Sequence, residues 1–185
     1  AYLRGIERRL AAGLDPQVAS VASLFVSRWD VAVKDAVSPA FHNRLGIAIA
    51  MRTYQAYRVL LESPRWQRLA VAGARPQRLL WASTGTKNPA YRDVIYIEEL
   101  VGKHTVNTVP PATLSAFLDH GVVRADSLQE DLAGAYQSMA RLEALGISMA
   151  DVTRELEAEG VKSFASAWKA LMDAMEASRR AVVGD

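Results

Sequence analysis

The sequence predicts an α/β fold with parallel strands, and three observations carry that expectation. Short apolar runs rich in β-branched residues alternate with segments of helical periodicity over residues 1–121. Each run leads into a polar loop. From 122 to 185 only helical periodicity remains, so the alternation is complete before the last third begins.

The elements follow in order. Apolar residues at Leu3, Ile6 and Leu10, with Gly13 after them, predict a helix over Tyr2–Gly13 with its stop signal. Val18–Val26 reads as a buried strand, with Ser27, Arg28, Trp29 and Asp30 as the polar stretch at its carboxyl end. Ser38-Pro39 supplies a cap and a pre-set first turn for a long helix to Leu61, broken by Ser63-Pro64 before a short helix through Val71. A second strand is expected at Arg78–Ser83, followed by the loop Thr84–Pro89 and a helix over Val94–Leu100. The third strand, His104–Val109, is closed by Pro110-Pro111, which cannot donate to a ladder. A helix over Ala112–His120 stops on Gly121. Ser127–Leu145, Ser148–Glu159 and Val161–Val182 complete the helical end, and Trp168, Leu171, Met172 and Met175 read as a stripe packed into the core.

Three parallel strands make a poor complete sheet, because such sheets need both faces covered. The chain is therefore expected to be either a small open sheet or the back of a (β/α)8 barrel, a fold that usually takes about 250 residues. A first residue other than Met favours the second arrangement. An apolar share of 50% and a charged share of 23% are those of a globular chain long enough for one domain. Zero cysteine excludes a disulfide scaffold, a cysteine nucleophile and a thiolate metal site. No run approaches the roughly 18 apolar residues of a membrane span. The sequence pI is about 9.0, yet the net charge is only +2, and 17 arginines from Arg4 to Arg180 are interspersed with acids. A soluble cytoplasmic domain that binds neither nucleic acid nor membrane is expected.

Polar residues gather past the carboxyl end of each expected strand: Arg28, then Ser83 with Lys87, then Asn107 and Thr108. In parallel α/β folds that is the ligand-binding face. An arginine fork, a lysine point charge and a serine hydroxyl suit one phosphate, and Gly85 permits close backbone approach. The bland alternative makes Arg28 and Lys87 solvated cations and Ser83 a turn residue. No Walker loop is present. His42, His104 and His120 lack metal-ligand spacing and read as surface or capping residues. Glu98-Glu99 reads as a solvated helix face, and Thr113 and Asp119 as cap and surface positions.

Three stretches carry a resemblance. LWASTGTKNPAY over Leu80–Tyr91, VNTVPPATL over Val106–Leu114 and VASLFVSR over Val21–Arg28 resemble, in order, segments of the bacterial and plant type of transaldolase, and the similarity extends over essentially the whole chain. The resemblance implies a (β/α)8 barrel, of which this chain holds about the last three β/α units (strands near 18–26, 78–83 and 104–109) within 1–121, with C-terminal helices over 122–185. It implies transfer of a dihydroxyacetone unit between sugar phosphates of the pentose phosphate pathway, through a Schiff base on a fourth-strand lysine and without metal or organic cofactor. Arg28 and Ser83 fall on phosphate-binding positions, and Lys87 sits where most relatives place an arginine before Asn-Pro. Phe25 matches the aromatic wall near the Schiff base, and Ser23 matches a serine facing substrate. Nothing resembles the strand-four lysine segment, the strand-one aspartate or the strand-three glutamate. The expectation is a fragment that is inactive alone and that self-associates or pairs with the missing N-terminal half, with Val21 and Val26 buried by another chain or by a rearranged helix of this one. A helical interaction or nucleic-acid-binding module is the alternative, and Arg52 with Arg58 is the nearest approach to its cationic face.

Overall fold

A computed structural model describes residues 1–86 and 90–183. Helix α1 (Tyr2–Ala11) precedes strand β1 (Val21–Phe25), which passes without a loop into α2 (Val26–Val33). The long helix α3 (Leu45–Glu62) and the short α4 (Pro64–Val71) lead to β2 (Arg78–Ala82). Then come α5 (Ile95–Glu98), β3 (Thr105–Asn107), α6 (Pro111–His120), α7 (Leu132–Ala144) and α8 (Met149–Val183). The strands form one parallel sheet in the order β1-β2-β3. Val21 pairs with Arg78, Ser23 with Leu80 and Phe25 with Ala82, while Leu80 pairs with Val106.

Several boundaries differ from expectation. The first strand covers Val21–Phe25, not Val18–Val26, and the expected polar loop is a helix. Val26, Trp29 or Asp30, and Val33 recur at helical spacing, and Val26 and Val33 sink into the core. Val26 is thus buried by helices of its own chain, one of the two outcomes expected for it, while Val21 stays exposed. Pro39–Phe41 makes one separate 3-10 turn, because Asn43 at φ +57° interrupts the chain before α3. The third strand holds Thr105–Asn107 rather than 104–109, and α5 has four residues. Gly160 does not divide the last helix, which runs through it for 35 residues.

The sheet is covered on one face. Leu79 and Trp81 of β2 enter a core with Val26, Leu45, Met51, Tyr54, Tyr96, Leu128, Met139 and Leu142, and Ala22 and Leu24 of β1 pack against it. Trp81 is fully buried and donates its indole N–H to the Leu100 carbonyl at 3.1 Å. A second cluster joins Leu3 and Ile6 of α1 to Trp66 and Leu69 of α4. The opposite face leaves Val21, Ser23 and Arg78 exposed, Val21 at 40%. The stripe on α8 also faces outward instead of packing in the core: Val161, Phe164, Trp168, Leu171 and Met175 are all more than half exposed.

A buried polar knot fixes α2, and so the carboxyl end of β1. Asp30 accepts from the amides of Leu45 and Gly46 at 3.1 and 3.3 Å, capping α3 from the neighbouring helix. The Tyr96 hydroxyl donates to Asp30 Oδ2 at 2.7 Å and lies 3.2 Å from Asn43 Oδ1. Burial pushes the Asp30 carboxyl up, while Tyr96 and the two amides oppose that rise. Gly46 allows the approach, since a Cβ there would stand 2.5 Å from both Asp30 Oδ2 and the Val26 carbonyl oxygen.

Candidate functional site

The end of β1 places three expected residues around one cleft of about 620 Å³. Ser23, Phe25, Arg28 and Trp29 line it from β1 and α2, with Gly160 and Phe164 of α8 opposite. Because the strand becomes a helix at once, Arg28 lies in the first turn of α2, a turn with no acidic residue. A cation at the positive end of a helix is poorly placed by itself, and an anion beside it satisfies both the guanidinium and the end amides. The guanidinium carbon lies 4.4 Å from the centre of the Phe25 ring. Among the described residues Arg28 has no carboxylate or hydrogen-bond partner.

Ser83 joins this turn through its neighbour. Its Oγ shares a 2.7 Å hydrogen bond with Ser27 Oγ, and its carbonyl accepts from the Ser27 amide at 3.2 Å. Ser83 takes φ +56° at the end of β2, a left-handed conformation that non-glycine residues seldom hold. It does not line the cleft of Arg28 and Phe25. Lys87 lies outside the described residues.

Asn107 and Thr108, grouped with these residues by position, have structural partners. The fully buried Thr84 donates to Asn107 Oδ1 at 2.8 Å, and Asn107 Nδ2 donates to the Tyr96 carbonyl at 3.1 Å. Thr108 Oγ1 donates to the Trp81 carbonyl at 3.1 Å. Gly85 provides close approach, but toward α6: a Cβ would meet Pro110 Cγ at 3.1 Å and Thr113 Oγ1 at 3.4 Å. Thr113 is buried within α6, whose cap position is Pro110, rather than being the cap itself. Glu98 is likewise buried, at 4% exposure, where it accepts from the Val122 amide at 2.9 Å and pairs with Arg92. The expected solvated face holds for neither carboxylate, since Glu99 is half-buried and pairs with Arg124 at 2.7 Å.

The remaining cations are engaged or scattered. Arg52 stacks on Tyr136 at 4.8 Å, and Arg58 pairs with Glu62 and donates to Gln129. On α8, Lys169 pairs with Asp173, and Arg179 and Arg180 with Glu176. Lys34, Lys103, Lys162 and Lys169 are exposed. Sequence reasoning missed Ser27 and Phe164. Ser27 looked like a loop residue. Phe164 lies 136 positions beyond Arg28 in a helix whose spacing signals only packing.

The family model described as Transaldolase/Fructose-6-phosphate aldolase matches residues 6–175. The chain belongs to that family. It is 46% identical to the transaldolase of Parafrankia sp. (strain EAN1pec) over 181 residues, which are 94% of this chain and 49% of the relative. It is 46% identical to the transaldolase of Mycobacterium ulcerans (strain Agy99) over 186 residues, covering 96% of this chain and 50% of the relative. With the transaldolase of Thermobifida fusca (strain YX) the identity is 43% over 94% of this chain and 49% of the relative. The chain thus spans about half the length of the curated relatives it matches. No helix among the described residues is long and apolar enough to cross a membrane.

Proposed function

We propose that this chain is the phosphate-binding portion of a transaldolase, forming the sixth to eighth strands of a (β/α)8 barrel. The observation that carries the reading is Arg28: a guanidinium held on Phe25 at the carboxyl edge of a parallel sheet, in a helix turn without acids, and without a polar partner among the described residues. Arg28 and Ser83, with Lys87, take the phosphate of a ketose or aldose phosphate. Phe25 and Ser23 line the three-carbon unit and keep water from it. The amine for the covalent step belongs to the part of the relatives' length that this chain does not span. There a lysine condenses with the ketone and releases water, the aldose phosphate leaves after cleavage of the carbon–carbon bond, the bound dihydroxyacetone unit attacks an acceptor aldehyde, and water hydrolyses the resulting imine to free the new ketose phosphate and the amine.

The partner that completes the barrel is the companion portion of the same fold. What supports this is the open sheet face with Val21 and Ser23 exposed, since parallel sheets are ordinarily covered on both sides. The outward stripe of Val161, Trp168 and Leu171 on α8 offers further exposed apolar surface.

Two measurements test the proposal. Titration with inorganic phosphate should show binding by the chain and loss of that binding in Arg28→Ala, with Lys103→Ala unaffected. Equal losses in both variants would reduce the effect to nonspecific charge attraction. Fructose 6-phosphate with borohydride should leave the mass of the chain unchanged. Mixed with a polypeptide spanning the other half of the Parafrankia relative, the adduct should appear on that polypeptide. An adduct on a lysine of this chain would overturn the assignment.

A further inference from the structure

Arg28 owes its place to a ring, and that ring is held by α8. The Phe164 ring of α8 stands edge to face with Phe25, with centroids 6.5 Å apart and planes at 74°. Phe25 in turn carries the Arg28 guanidinium on its face at 4.4 Å. One turn before Phe164, Gly160 leaves the helix surface bare beside Arg28, since even a Cβ there would reach no closer than 4.0 Å from Nη1. A glycine inside a helix is worth about 1 kcal/mol less than alanine, so a bare surface at this point of a 35-residue helix is a local departure from good helix-forming sequence. Arg28, Phe25, Gly160 and Phe164 all line the same cleft.

We infer that Phe164 is a positioning residue for the phosphate site: it fixes the Phe25 ring, and through that ring the direction in which Arg28 presents its fork. The inference rests on the reading of Arg28 as the phosphate-binding cation. Glu157 of α8 lines the same cleft, but among the described residues no hydrogen bond or ion pair holds the guanidinium, so the ring face is the contact that sets its position. Without Phe164, Phe25 borders an open cleft and can leave its rotamer, and Arg28 follows it. The C-terminal helix then contributes to substrate affinity without touching substrate. A flexible arginine spends more conformational entropy on each anion it binds than a held one, so the effect falls on affinity.

The test is a phosphate titration of the chain, with the Arg28 Nε–Hε resonance followed by nitrogen NMR. Phe164→Ala should weaken phosphate binding by about three- to tenfold, the range that matches an aromatic pair. It should also move the Arg28 Nε–Hε resonance, whose position reflects the ring current of Phe25. Phe164→Tyr should restore both. Trp168→Ala, one turn further along the same exposed stripe, should change neither. Arg28→Ala should abolish binding. If Arg28→Ala binds phosphate as the parent chain does, the reading of the site fails and this inference with it. If Arg28→Ala loses binding while Phe164→Ala keeps it, the site stands and the role of Phe164 is refuted. Equal weakening by Phe164→Ala and Trp168→Ala, or no rescue by Phe164→Tyr, also refutes it.

Discussion

Replacing Gly46 with alanine should destabilise the chain, although the substitution ordinarily strengthens a helix. Gly46 is the second residue of α3, where alanine is favoured over glycine by about 1 kcal/mol. Here the added methyl would lie 2.5 Å from the Val26 carbonyl oxygen, 2.5 Å from Asp30 Oδ2 and 3.1 Å from Val26 Cγ1. The first of these is backbone and cannot swing aside. Relief requires α3 to move off α2, which adds overpacking strain of about 1–3 kcal/mol. Lengthening the hydrogen bonds from the amides of Leu45 and Gly46 to the buried Asp30 adds about 1.5–3 kcal/mol. The net expectation is a loss of about 2–4 kcal/mol. Gly5 in α1 is the internal control, with nothing within 4 Å of its Cβ position, and Gly5→Ala should be neutral or stabilising. Urea unfolding followed by circular dichroism reads both. With a slope of about 2 kcal/mol per molar, the Gly46→Ala midpoint should fall by about 1–2 M. A Gly46→Ala midpoint at or above that of the parent chain would refute the packing argument.

Tyr96→Phe should lower stability by about 1.5–3 kcal/mol, because Asp30 loses its hydroxyl donor in the core, whereas Tyr136→Phe at the surface should stay within about 0.5 kcal/mol in the same unfolding assay. The His120 imidazole, hydrogen-bonded to Asp93 at 3.0 Å and to Asp119 at 3.1 Å, is held above its ordinary value of 6.5 by those carboxylates, Asp93 first. Its contribution is full below pH 6.5 and fades as pH rises through the raised folded value. Asp93, held below its ordinary 3.8 by His120, loses its share as pH falls through the lowered value. The melting temperature of His120→Gln should therefore drop most against the parent chain between about pH 4 and 6.5, and curves that stay parallel from pH 4 to 9 would refute the pairing. Trp168→Glu with Leu171→Glu should abolish assembly with the companion half-barrel in analytical ultracentrifugation, and unchanged assembly would place the contact elsewhere.

Much of the sheet was legible. Leucines, Trp81 and Val106 in short runs between helical segments identify β2 and β3 from composition and spacing alone, and the order of the strands follows from their parallel alternation. The first strand was read too long, because Val26 satisfies the β-branched pattern and the helical pattern at once. Only burial against α3 decides between them. Gly160 misled in the opposite direction. Gly146 at φ +86° does follow the end of α7, but Gly160 keeps helical geometry inside α8, which continues beyond it to Val183. At the site, Arg28 and Ser83 were visible as polar residues at strand ends. Their connection through Ser27 was not, since it joins residues 56 apart through side-chain oxygens. The burial of Glu98 depends on a partner, Arg92, and on an amide from Val122 that no periodicity announces.

The last helix is a projecting arm as well as a wall. Its 35 residues, at 1.5 Å each, reach about 52 Å, well beyond the roughly 30 Å width of a small domain. It is rooted by Val152 and Leu156 and steadied near Phe164, and most of its remaining length stands clear of the body. Amide exchange along it should form a gradient, slow at the root and fast toward Arg180, because the end turns open without disturbing the core. The far turns of this helix can therefore open and close while the turn that carries Phe164 stays in place.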